Sequence, residues 1–225
     1  LKAYKFRAAA QIAFAFDIII NRRLYCADWK NLNDPMEGMF AYSYSHDQET
    51  EAQRIVKGVV ESKNKYKVCS LSGTYDCHLL WSHYAGGFDG VAIEMNLPEG
   101  SRSIRPVEYR GVYAYLDLAD VKREDDAART ILFSKYKEWE YEREIRILSD
   151  SEWYYLENPV TKVIAGPRMP DALFKVMNIT CCSLGIEFCK VGIGDEGIDA
   201  DYVEPPSGLD RDPLLPPQKN VRRRR

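Results

Sequence analysis

The chemistry-bearing residues of this chain gather in four short stretches. The richest is Lys137-Glu138-Trp139-Glu140-Tyr141-Glu142-Arg143-Glu144-Ile145-Arg146-Ile147-Leu148. On a strand, successive side chains point to opposite faces, so the pattern predicts Glu142, Glu144 and Arg146 on one face and Tyr141, Ile145 and Ile147 on the other. Three ionisable groups in a row are costly to bury unless they pair or act. Two carboxylates about 7 Å apart beside an arginine suit a general base, a sugar-hydroxyl clamp or a stabiliser of positive charge. An edge strand carrying a solvated Glu–Arg ladder is the alternative.

The second stretch, Leu80-Trp81-Ser82-His83-Tyr84-Ala85, places an indole, a hydroxyl, an imidazole and a phenol just before Gly86-Gly87. His83 is the side chain suited to proton transfer near neutral pH. Trp81 and Tyr84 are three apart, neighbours on a helix surface, and are expected to form an aromatic wall for a flat ligand. A core-packing helix with a hydrogen-bonded Trp and His is the competing expectation. Tyr4-Lys5-Phe6-Arg7 sets the cations Lys5 and Arg7 on one strand face. Leu32-Asn33-Asp34-Pro35-Met36-Glu37 is a polar turn in which Asn33 or Asp34 caps the following segment.

The elements that must position these groups follow from periodicity and turn signals. Strands are expected over Lys2–Arg7, Leu24–Ala27, Tyr66–Leu71, Gly90–Met95, Ile104–Tyr109, Tyr141–Leu148, Thr161–Ala165 and Glu187–Val191. Helices are expected over Ala8–Arg23, Gln48–Ser62, Leu79–Ala85, an exposed Asp117–Lys137 and Pro170–Cys181. Consecutive strands among these helices fit an α+β fold, with a mixed, mostly antiparallel sheet and flanking helices, better than a strict βαβ repeat. The expected organisation is one globular domain over 1–203 and a tail over 204–225. That tail carries Pro205, Pro206, Pro213, Pro216 and Pro217 and ends in Arg222–Arg225, too poor in apolar residues to build a core.

Composition narrows the function classes. The chain has 225 residues, of which 45% are hydrophobic and 29% charged, with a formal net charge of −3. That charge argues against nucleic-acid binding by bulk charge alone. The longest apolar run, Ala8–Ile20, contains Gln11 and Asp17 and is shorter than a membrane span, so the expected location is the cytoplasm with no membrane partner. It also lacks the small-residue cleavage site of a secretory signal. The six cysteines form no CxxC pair, and Cys69, Cys77, His78 and His83 do not match a zinc spacing. They read as buried free thiols, with adjacent Cys181-Cys182 as apolar filler; no metal is expected. Walker, GxSxG, HExxH and GxGxxG patterns are missing or unsupported.

In order along the chain, these stretches resemble a bacterial family catalogued as domain of unknown function 2971. The resemblance rests on Tyr4-Lys5-Phe6-Arg7, Leu24-Tyr25, Asn33-Asp34-Pro35-Met36-Glu37 and Cys69-Ser70-Leu71-Ser72. It continues through Trp81-Ser82-His83-Tyr84, Val107-Glu108-Tyr109, Trp139-Glu140-Tyr141-Glu142-Arg143-Glu144-Ile145-Arg146 and Val163-Ile164-Ala165-Gly166. Leu32 and Ile145 stand where that pattern has aromatics. The order of motifs is also similar, more distantly, to the ADP-ribosyltransferase-like fold. That resemblance implies NAD as a substrate, with Arg7 or Lys5 on its ribose or phosphates and Tyr84 stacked on nicotinamide. Glu144 or Glu142 would then stabilise an oxocarbenium-like centre. A metal-independent nuclease or nucleotide hydrolase, with His83 as acid/base and Lys5, Arg7 and Arg146 on phosphate, is a second expectation. A non-catalytic module sensing a nucleotide or binding a protein is a third. The family's proximity to bacterial conflict genes adds an antiphage-defence or toxin context. A single cleft is expected to gather Arg7, Asn33, Asp34, Glu37, Trp81, His83, Tyr84, Glu142, Glu144 and Arg146. The acceptor in these readings is a nucleic acid or a protein.

Overall fold

A computed structural model describes residues 1–111, 113–194 and 197–204. In chain order its strands are β1 (Lys2–Arg7), β2 (Arg23–Tyr25), β3 (Ala27–Asp28), β4 (Phe40–Ser43), β5 (Lys67–Ser72), β6 (Val91–Asn96), β7 (Ile104–Pro106) and β8 (Glu108–Arg110). They continue as β9 (Ala114–Asp117), β10 (Ser134–Tyr136), β11 (Glu144–Ser149), β12 (Trp153–Tyr155), β13 (Lys162–Ala165), β14 (Glu187–Gly194) and β15 (Gly197–Glu204). The α-helices are α1 (Ile12–Asn21), α2 (Glu49–Lys63), α3 (His78–Tyr84), α4 (Glu124–Leu132) and α5 (Asp171–Leu184). The fold is α+β, with mostly antiparallel strand pairing, as the element pattern predicts.

The chain divides into two compact units. The first comprises Leu1–Lys5, Asp17–Thr74 and Met95–Pro159; the second comprises Phe6–Phe16, Tyr75–Glu94 and the chain from Val160 onward. In the first unit β5 is the spine. It pairs antiparallel with β11 from Glu144↔Ser72 to Ser149↔Lys67, with β1 at Tyr4↔Ser72 and with β3 at Ala27↔Val68. β7 pairs with the other side of β11 and ends this run of strands. The amphipathic face of α2, carrying Ala52, Ile55 and Val59, packs with Ala127, Ala128 and Ile131 of α4 and with Ala114 and Leu116 of β9. A second cluster joins Val68, Leu132, Phe133 and Leu148 beneath β5 and β11.

In the second unit, Val91–Glu94 of β6 pairs antiparallel with β13. β13 pairs parallel with β14 through the crossover helix α5, as a parallel neighbour requires. Gly90 lets the chain enter β6 beside β1, because a Cβ there would run into the Arg7 carbonyl.

Several boundaries differ from the sequence reading. The expected exposed helix over Asp117–Lys137 is only Glu124–Leu132, with four buried residues, and the chain then forms β10 beside β8 in parallel. Arg23 belongs to a strand rather than to the end of the first helix. β4, β9 and β12 are too short to show a period. β15 reaches Glu204, so the proline-rich segment from Pro205 onward lies outside the described residues. Among the described residues no helix is long and apolar enough to cross a membrane.

Candidate functional site

The stretch around Glu142 does not form one strand. Lys137–Glu142 is a 310 helix, and Arg143, at φ 43°, turns the chain so that β11 begins at Glu144. Glu142 therefore reaches the site from a helix end, while Glu144 and Arg146 alternate along β11 and share a face. β11 lies between β5 and β7, so the edge-strand ladder does not occur. Glu144 is 2% exposed and Arg146 is fully buried.

Their partners come from elsewhere in the first unit. Arg146 donates from Nε to Glu144 Oε1 at 2.7 Å, from Nη1 to the Leu132 carbonyl at 2.6 Å, and from Nη2 to Glu37 Oε1. Lys135, on β10, donates from Nζ to Glu142 Oε2 at 2.6 Å and to Glu144 Oε2 at 2.8 Å. It also lies 3.6 Å from Glu37 Oε1. Glu37 is delivered by the predicted turn. Asp34 Oδ1 accepts the Met36 N–H, and the Asp34 carbonyl accepts the Glu37 N–H. Ser72 ties down the helix end by donating to the Glu142 carbonyl at 2.6 Å.

Three buried carboxyls thus face two buried cations. Burial alone would raise the Glu144 carboxyl, but the charges of Arg146 and Lys135 overcome it and hold the group at about 2. Burial tends to lower Lys135, and Glu144 and Glu142 more than reverse that. Burial raises Glu37 against the pull of Arg146, with the Glu144 charge adding to the rise. Burial and the Glu144 charge thus both push Glu37 toward its neutral form, and its buried Oε2 has no hydrogen-bond partner among the described residues.

Beside this cluster lies a cavity of about 660 Å³ lined by Gly73, Pro106, Val107, Tyr109, Glu140, Tyr141, Arg143, Glu144 and Ile145. The Tyr109 hydroxyl accepts the Glu144 N–H at 2.7 Å, and burial pushes that phenol up to about 12. Tyr109 is therefore a neutral donor at the cavity wall throughout the physiological range. The volume falls within the range of small-ligand pockets.

The sequence-predicted residues divide between the units. The first holds Lys5, Asn33, Asp34, Glu37, Glu142, Glu144 and Arg146, and brings the last four together. Lys5 donates to the Ser70 carbonyl instead of facing this cluster, and Asn33 is exposed. The second unit holds Arg7, Trp81, His83 and Tyr84. Trp81 is fully buried: it donates Nε1 to the Tyr75 carbonyl, meets Phe6 edge-on at 5.3 Å and stacks on Phe88 at 6.0 Å. Its faces are taken by the core, so the expected Trp81–Tyr84 ligand wall is corrected to a packing role for Trp81. Among the described residues, His83 is exposed and meets only the Tyr84 ring. Arg7 donates to the Phe6 carbonyl.

Lys135, Tyr109 and Ser72 were missed by sequence reasoning. One signal pointed to Lys135: a single Arg146 cannot balance Glu142 and Glu144 in a buried site, so a second cation was required. Neither protein-family models, nor curated proteins, nor solved structures yield a match to this chain.

Proposed function

We propose that the first unit binds a nucleotide-class ligand in the Tyr109–Tyr141 cavity and cleaves the nicotinamide glycosidic bond of NAD, an ADP-ribosyltransferase-like activity. The observation that carries this reading is Glu144, a residue that lines a ligand-sized cavity and whose buried carboxylate Arg146 and Lys135 hold in its charged form. Breaking a glycosidic bond builds positive charge on the sugar, and a preorganised negative charge stabilises it without reorganisation. Held at about 2, Glu144 does not take up a proton near neutrality, so its contribution is electrostatic rather than that of a general base. Tyr109 and Tyr141 supply aromatic surface for the leaving ring.

A second reading, nucleotide sensing without turnover, is favoured by one feature: both Glu144 oxygens are occupied by Arg146 and Lys135. The nuclease reading gains nothing from His83, which is exposed and meets only Tyr84 among the described residues. Mass spectrometry of NAD incubated with the protein, with Glu144→Gln and with Tyr141→Ala decides between the first two. Nicotinamide release lost in both variants supports cleavage. Saturable NAD binding with no release, weakened by Tyr141→Ala, supports sensing. Neither release nor binding overturns both.

A further inference from the structure

Beyond the Glu144 cavity, the first unit has a second cavity of about 590 Å³, between the Pro98–Ser103 loop, β7 and α4. Its wall contains three arginines: Arg102, Arg105 and Arg129. Two have carboxylate partners. Arg102 pairs with Asp126 at 2.9 Å, and Arg129 pairs with Asp125 at 3.1 Å while donating to Ser103 Oγ at 3.2 Å. Asp126 and Glu99 line the cavity too, but Asp126 is engaged by Arg102 and Glu99 is 83% exposed at the rim.

Arg105 is different. It stands directly opposite Arg146 in the β7–β11 register, so the two side chains leave the same sheet face. The carboxylates on that face, Glu37 and Glu144, are bound to Arg146 and Lys135. Arg105 is left without a counter-ion among the described residues. Its guanidinium lies 4.2 Å over the Phe133 ring. This cation–π contact holds the guanidinium at the ring and leaves N–H groups to serve an acceptor.

We propose that this cavity is a binding site for the phosphate or diphosphate group of a small ligand. A planar guanidinium with no internal acceptor matches phosphate oxygens bidentately, and Arg102 and Arg129 add positive charge to the same wall. Pro106 lines both this cavity and the Glu144 cavity. A ligand that passes Pro106 from one cavity to the other would place its phosphates on Arg105 and its base or sugar against Tyr141; this last step alone rests on the function proposed above.

Isothermal titration with inorganic pyrophosphate and with ADP-ribose tests the site, using the full chain, Arg105→Gln and Tyr141→Ala. Arg105 is exposed and outside the buried ion cluster, so its variant retains the fold, which circular dichroism checks. Expected are saturable pyrophosphate binding weakened roughly tenfold or more by Arg105→Gln, pyrophosphate binding untouched by Tyr141→Ala, and ADP-ribose binding weakened by both. Absence of saturable pyrophosphate binding at millimolar concentration, or equal binding by Arg105→Gln, overturns the site. Arg105-dependent pyrophosphate binding in a protein that leaves NAD intact upholds the site while glycosidic cleavage falls.

Discussion

Lys135 is the residue on which the buried cluster turns. It neutralises Glu142 and Glu144 together, and neither carboxylate has water to fall back on. Removing one partner from a buried ion network leaves uncompensated charge, a loss of about 3–5 kcal/mol. Lys135→Met is therefore expected to lower the unfolding free energy from urea titration by that order. An unfolding free energy within about 1 kcal/mol of the parent, the range of exposed pairs, would show that the carboxylates find other compensation. Arg54–Glu51 and Lys57–Glu61 on the surface of α2 provide such exposed controls, because both partners are more than half exposed.

At the scale of elements, the Trp29–Gly38 loop must be held for Glu37 to reach Arg146, and α2 holds it through Lys63. Its Nζ donates to the Gly38 carbonyl and lies 4.0 Å from the Trp29 ring centroid. Gly38 has φ +69°, and a Cβ there would sit 2.6 Å from Trp29 Cε3, so the loop closes onto the ring only with glycine. Burial, with the charge of Lys30 adding, lowers the Lys63 ammonium to about 8 from its ordinary 10.5. Between those two values the unfolded chain binds the proton and the folded chain does not, so the contribution of Lys63 to stability rises with pH across that window. Below about 8 both states are protonated and the slope vanishes. Unfolding titrations of the parent and Lys63→Met should diverge between pH 8 and 10.5, with the parent gaining; parallel curves would place the ammonium in solvent.

Across the whole molecule, the six cysteines are free thiols and differ in access. Cys26, Cys69, Cys181 and Cys189 are buried, Cys77 is partly buried and Cys182 is exposed. Burial raises the Cys181 thiol to about 12 and the Cys189 thiol to about 11, which suppresses the reactive thiolate. Native maleimide labelling followed by peptide mapping should modify Cys182 first and Cys77 more slowly, with the other four reacting only after denaturation. Rapid native labelling of Cys26 or Cys69 would show that the first unit opens. Cys181-Cys182 thus splits into one core residue and one surface residue, where the sequence reading made both apolar filler.

The residues alone determine the fold class, most strand and helix positions, and the turn that delivers Glu37, because periodicity and turn chemistry are local. They also mark Glu142, Glu144 and Arg146 as the costly group, since a dense run of charge beside apolar residues demands an explanation in any fold. Tertiary structure decides the rest. That Glu142 arrives from a helix end depends on one left-handed residue, Arg143, which has no sequence signature. That Lys135 is their counter-ion depends on β10 pairing in parallel with β8, a contact between segments 26 residues apart that no local period encodes. That Arg105 has no counter-ion among the described residues follows from β7–β11 register, which aligns two arginines and leaves carboxylates for only one of them. Charge balance in a buried site is a property of the neighbours that folding brings together, and local sequence carries the charges without naming the neighbours.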